Sequence, residues 1–132
     1  MFKRMFASKE VKAVLGILDE ADQKFDCHIF QEIKSQINQF VLSKPDAVAE
    51  KIKNGMSPRQ IVYSLIANMA GDLVESGNYH LYRGVLNPLT GGEDLLRIFD
   101  ESVDEMIQCG AVDPDYAAKQ KAGLRENIKS VG

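Results

Sequence analysis

The longest apolar arc in the chain runs from Ile61 to Val74. There Ile61, Val62, Tyr63, Leu65, Ile66, Ala67, Met69, Ala70, Leu73 and Val74 leave only a narrow polar strip at Ser64, Asn68, Asp72 and Glu75. The strip returns every three to four residues, so the segment is a helix. A helix that is apolar over most of its circumference must be covered by neighbours on several sides. Its ends are marked as well: Ser57 suits the cap of the first free amides, Pro58 the first helical position and Gly77 the left-handed position past the end. The pattern predicts a central helix from Pro58 to Ser76.

Upstream, Ser8 is placed as a cap, and Val11, Val14, Leu15, Leu18, Ala21 and Phe25 follow at helical spacing, with charges on the other face. A second series, Ile29, Phe30, Ile33, Ile37, Phe40 and Val41, continues in nearly the same phase. Periodicity alone allows one helix or two from Ser8 to Leu42. A single helix of that length would measure ~50 Å, against a radius of gyration of ~14 Å for a compact domain of this size. A break is therefore expected near Asp26, with Asp26 as a cap of the second helix; without the break the protein would be elongated or embraced by a partner. A short helix follows, with a Ser43 start, Pro45 near its first turn, Ala47, Val48 and Ile52 on one side and Gly55 as its stop.

Beyond the central helix, Thr90-Gly91-Gly92 opens another, with Glu93 and Asp94 complementing the dipole of its first turn. Leu95, Leu96, Ile98, Phe99, Val103, Met106 and Ile107 form its stripe, and Gly110 ends it. Asp113-Pro114 reads as a cap and first position for a last helix through Tyr116, Ala117, Leu124 and Ile128, weakened by few large apolar residues and by Gly123. No stretch alternates apolar and polar residues in the manner of a strand, and no internal repeat is present. The expected fold class is all-α: a single domain, residues 1–132, with about six helices in a compact bundle or orthogonal array around the central one.

Composition narrows the function classes more than it names one. Apolar residues at 45% and charged ones at 27% of 132 residues are ordinary for a globular domain. A net charge of −3 and no basic stripe disfavour nucleic acid as a partner. The apolar runs are too short for a membrane span. Cys27 and Cys109 would make at most one disulfide and no secretory signal is expected ahead of them, so a reducing cytoplasm is the expected setting.

Candidate chemistry is sparse. Two His and two Cys do not make a zinc ligand set, no Glu-x-x-His pair supports a di-iron bundle, and Asp113-Pro114-Asp115 lacks the rest of a calcium loop, so no metal and no cofactor is expected. Cys27, at a helix start, is the thiol that a helix dipole would activate; the competing reading is a small buried hydrophobe. Asp100, Glu101, Asp104 and Glu105 read as a solvated face rather than a catalytic pair. No nucleophile elbow and no phosphate-binding glycine loop occurs.

Two clusters remain. Tyr79, His80, Tyr82 and Arg83 lie between the central helix and the next, where a carboxylate or phosphate site could be assembled, or where a structured crossover packs its tyrosines. Phe2, Met5 and Phe6 flank Lys3 and Arg4 and have no place in the first helical stripe, which marks an interaction surface. The leading expectation is a small cytoplasmic interaction or regulatory module without catalysis of its own, with a second copy of itself, as a homodimer, or another protein as partner. The alternative is a ligand-binding domain or enzyme built on Tyr79, His80, Tyr82 and Arg83 with Asp72 or Glu75.

Overall fold

A computed structural model describes residues 9–76 and 90–131, and these form six helices and no strand. They are α1 (Lys9–Phe25), α2 (His28–Ser43), α3 (Pro45–Lys53), α4 (Pro58–Ser76), α5 (Thr90–Gln108) and α6 (Pro114–Val131). The fold is all-α, and α4 packs against every other helix, most extensively against α5. The apolar arc explains this position: Ile61, Val62, Tyr63, Ile66, Ala67, Ala70 and Val74 are all buried, facing different neighbours around the circumference. Leu65, Met69 and Leu73 are only partly covered, and Asn68 and Asp72 are exposed.

The amphipathic stripes fall where their periodicity puts them. Every member of the first stripe, from Val11 to Phe25, is buried; so is every member of the second except Phe40, which is half-covered. On α3 only Val48 is buried, with Ala47 and Ile52 at the margin. The α5 stripe buries Leu95, Ile98, Phe99 and Val103, while α6 contributes Ala117 and Leu124 to the core among the described residues.

The helix from Ser8 to Leu42 is broken, and the break differs from the expected one. Asp26 adopts a left-handed φ of 39°, a conformation Asp tolerates better than most residues, and the N-cap of α2 is Cys27 in extended backbone with no side-chain cap bond. The corner is held instead by long-range contacts. Arg97 Nη2 donates to the Phe25 carbonyl at 3.0 Å, satisfying an acceptor that the end of α1 leaves open, and its guanidinium lies 5.9 Å from the Phe25 ring. Across the same corner Asp22 accepts from Gln31 at 2.6 Å and from Lys34 at 2.8 Å. The Phe25 and Phe30 rings meet at 5.1 Å beneath it.

The expected Ser43 start of α3 is also corrected: Lys44 is the N-cap residue, and Ser43 donates its hydroxyl back to the Phe40 carbonyl at 3.1 Å. The remaining ends follow the sequence signals. Ser57 Oγ accepts from the Gln60 amide at 3.1 Å while Gln60 Oε1 accepts from the Ser57 amide at 2.9 Å, a reciprocal capping box. Asp113 Oδ2 accepts from the Tyr116 amide at 3.1 Å. Gly55 (φ 104°) and Gly110 (φ 76°) are left-handed, and the bonds Met56 N to Lys51 O and Ala111 N to Met106 O close both turns as Schellman motifs. Ser8 and Gly77 lie outside the described residues.

Two stability outcomes follow. Ile66→Ala, at a fully buried α4 position, is expected to cost about 2–5 kcal/mol, and Leu65→Ala, at a partly covered one, clearly less, read from urea midpoints at constant m. Gly110→Ala, which places a β-carbon on a left-handed backbone, is expected to cost about 1–2 kcal/mol even though nothing lies within 4 Å of the added atom.

Candidate interaction groove

One surface groove lies beside α6. The helical period of α6 brings few large side chains to the core among the described residues, so the space between α4, α5 and α6 is incompletely filled. A groove of about 130 Å³ is left there. Its apolar walls are Phe99, Val103 and Met106 from α5, Val112 from the turn, and Tyr116 and Ala117 from α6, with Ala67 at the α4 side. Asn68 and Gln120 supply polar edges. Tyr116 is 57% exposed, the one large hydrophobic side chain so exposed among the described residues. The Gly110 turn and the Asp113 cap set the angle at which α6 leaves α5, and so fix Tyr116 at the lip.

The acidic residues of α5 are less solvated than their sequence suggests, because α5 is flanked on both sides. Asp100 is paired with Arg125, and Asp104 with Lys121 at 2.6 Å, so this pair of acids faces α6. Glu101 lies 3.6 Å from Arg97, and Glu105 3.3 Å from Lys24 of α1. A wider, shallow depression of about 430 Å³ is lined by Leu96, Arg97, Asp100, Glu101 and Arg125, and its charges are neutralised by one another. Burial, the larger influence, raises the Asp100 carboxyl above the usual carboxylate range against the opposing pull of Arg125, whose own side chain is mostly exposed. Ser102 on α5 is fully buried, and its hydroxyl has no hydrogen-bond partner among the described residues, a desolvation cost of about 1–3 kcal/mol.

On the α1 side, Tyr63 is buried beneath two cations, with Lys24 Nζ 5.7 Å and the Arg59 guanidinium 5.9 Å from its ring. Arg59 in turn reaches Glu20 at 3.0 Å. This cluster ties α1 to α4. Burial pushes the Tyr63 hydroxyl up, so it is not an acid–base group near neutrality.

Cys27 is half-buried, packed at the edge of the core and lining a small depression with Asp26, His28 and Gln31. Burial pushes its thiol up, against the opposing pull of the Phe30 amide and Arg97. Cys27 and Cys109 are both free thiols, and among the described residues no three His, Cys, Asp or Glu converge as metal ligands. No helix among the described residues is long and apolar enough to cross a membrane.

The two residue clusters singled out from the sequence, Tyr79, His80, Tyr82 and Arg83, and Phe2, Met5 and Phe6, lie outside the described residues. Asp72, named with the first cluster, is exposed on α4 one turn beyond Asn68. The groove itself was not singled out. Its walls come from three helices, and the one local signal for it was the poverty of large apolar residues in the last helix. Comparison of the chain with protein-family models, with curated proteins and with solved structures finds no match.

The carboxylates at Asp22 and Asp100 give opposite pH behaviour. Hydrogen bonding from Lys34, the leading cause, holds Asp22 below its ordinary value of 3.8, so its stabilising effect is full above that value and is lost as pH falls through the lower folded value. Asp100 is raised above 3.8, so its ionised form weakens the fold, and that penalty is relieved as pH falls through the raised value toward 3.8. Asp22→Asn is expected to destabilise at neutral pH by about 0.5–1 kcal/mol, an effect that fades below the ordinary value. Asp100→Asn is expected to cost less than Asp22→Asn at neutral pH and to lose any advantage on acidification. Urea titrations of both variants at several pH values check the two signs.

Proposed function

We propose that this protein is a small helical interaction module that self-associates and has no catalysis of its own. The observation that carries this reading is the exposed Tyr116 at the lip of an apolar groove walled by Phe99, Val103, Met106 and Val112. A soluble surface that keeps an aromatic side chain beside a partly open apolar cleft has the features of a contact site, since aromatics and Met anchor protein interfaces. The charged depression beside Arg97 and Arg125 offers no comparable preference, because its acids and bases cancel.

Phe2, Met5 and Phe6 belong to the same proposal as the complementary apolar surface, and a homodimer is its simplest form because two-fold dimers are the commonest closed assembly. The two free thiols accord with a reducing, cytoplasmic setting. The ligand-site alternative at Tyr79, His80, Tyr82 and Arg83 is favoured by no feature of the described residues.

The expected outcome is a dimer at micromolar concentration by sedimentation velocity, with association weakened by Phe2→Ser, Met5→Ser and Phe6→Ser combined in the full chain. A monomer under those conditions, or a dimer indifferent to the three substitutions, overturns the proposal.

A further inference from the structure

Resting on that proposed self-association, we infer that the groove between α4, α5 and α6 receives residues 1–6 of a second copy of this chain, with one phenylalanine ring seated between Phe99, Val103 and Tyr116. The volume suits this occupant: about 130 Å³ is close to the ~150 Å³ apolar cavity that accepts a benzene ring. The segment Met-Phe-Lys-Arg-Met-Phe presents two such rings, with Met5 adaptable enough to lie along the partly open wall at Met106 and Val112.

Charge points the same way. Between the apolar residues the segment carries Lys3 and Arg4. Beside the groove the exposed acids are Asp72 on α4, one turn beyond Asn68, and Asp113, next to Val112 at the start of α6, while Asp104 is already paired with Lys121. The rim is therefore acidic where a basic segment would cross it, which favours encounter and fixes direction.

Two features favour the second copy over the chain's own segment. On α1 the last turn reaches α5, where Lys24 meets Glu105 and the Phe25 carbonyl meets Arg97. Lys9 therefore stands about one helix length, ~24 Å, from that contact. Arg97, Glu101 and Glu105 also lie along one side of α5, and Phe99, Val103 and Met106 along another, by their spacing on the helix. Reciprocal exchange doubles the surface: one seated phenylalanine at roughly 150–250 Å² from each of two segments gives roughly 300–500 Å² on the donor side, and the covered grooves bring the total to roughly 600–1,000 Å², the size of a weak, transient interface.

The test is a charge swap in the full chain, read as the dimer dissociation constant by sedimentation equilibrium. Tyr116→Asp, at an exposed position that leaves the core intact, is expected to weaken the dimer about tenfold or more, the scale of losing an aromatic anchor. Asp72→Lys, which reverses one member of the proposed pair between Asp72 and the basic segment, is expected to weaken it also, and adding Lys3→Glu with Arg4→Glu is expected to restore it. Circular dichroism checks that each variant keeps its helices. A dimer weakened by the Phe2, Met5 and Phe6 substitutions yet unaffected by Tyr116→Asp, or an Asp72→Lys dimer that the second reversal does not restore, overturns this inference and leaves self-association standing. A monomeric wild-type chain overturns both.

Discussion

The burial of α4 is the constraint on which the rest of the structure depends. A helix with apolar residues around most of its circumference gains stability only if each side is taken out of water, and here five helices share that task. Its most extensive partner is α5, whose Leu95, Ile98, Phe99 and Val103 close one long side; α1, α2 and α3 cover others with stripes ending at Phe25, Val41 and Val48. The chain must therefore reverse around α4 several times in short connections. The glycines at 55 and 110 and the caps at Ser57 and Asp113 supply the backbone bonds that those reversals leave open.

The corner between α1 and α2 is the reversal that local sequence serves least. It has no glycine and no side-chain cap, and Asp26 occupies the left-handed region. It holds because α5 lends Arg97 to the Phe25 carbonyl and because Asp22 gathers Gln31 and Lys34 from the following helix. Arg97 thus couples the bend to the α4–α5 pair: a bent α1–α2 hairpin covers α4, and the helix that packs most closely on α4 in turn stabilises the bend.

Such an arrangement puts well-packed layers on the α1, α2 and α5 sides, while among the described side chains α6 places Ala117 and Leu124 in the core and adds the Arg125–Asp100 and Lys121–Asp104 pairs. Exposed and half-exposed ion pairs of that kind contribute about 0–1 kcal/mol each, less than a buried leucine, so α6 sits over α4 without sealing the space beside it. The groove with Tyr116 at its lip is the consequence. The surface on offer there is apolar, with Asn68 and Gln120 at its edges.

Much of this architecture was legible along the chain, for reasons that are local. The stripe from Val11 to Phe25 and the arc from Ile61 to Val74 are periodic enough that only a helix can collect them on their buried sides, and Pro58, Gly55, Gly110 and the Asp113-Pro114 pair act through backbone geometry within a few residues. Misplaced features were those settled at long range. The bend at Asp26 was required by size, but its mechanism depends on Arg97, more than seventy positions away in sequence. The acids of α5 read as a solvated face because nothing in a single helix reveals that Lys24, Lys121 and Arg125 come to meet them. Cys27 stands at a helix start, where the dipole alone would favour its thiolate, yet packing half-covers it and the desolvation pushes the thiol up. The groove itself is what three separate helices fail to fill. Helical periodicity assigned each of its walls to a face, but whether those faces meet or leave a space is a matter of side-chain volume summed across elements, which only the tertiary structure decides.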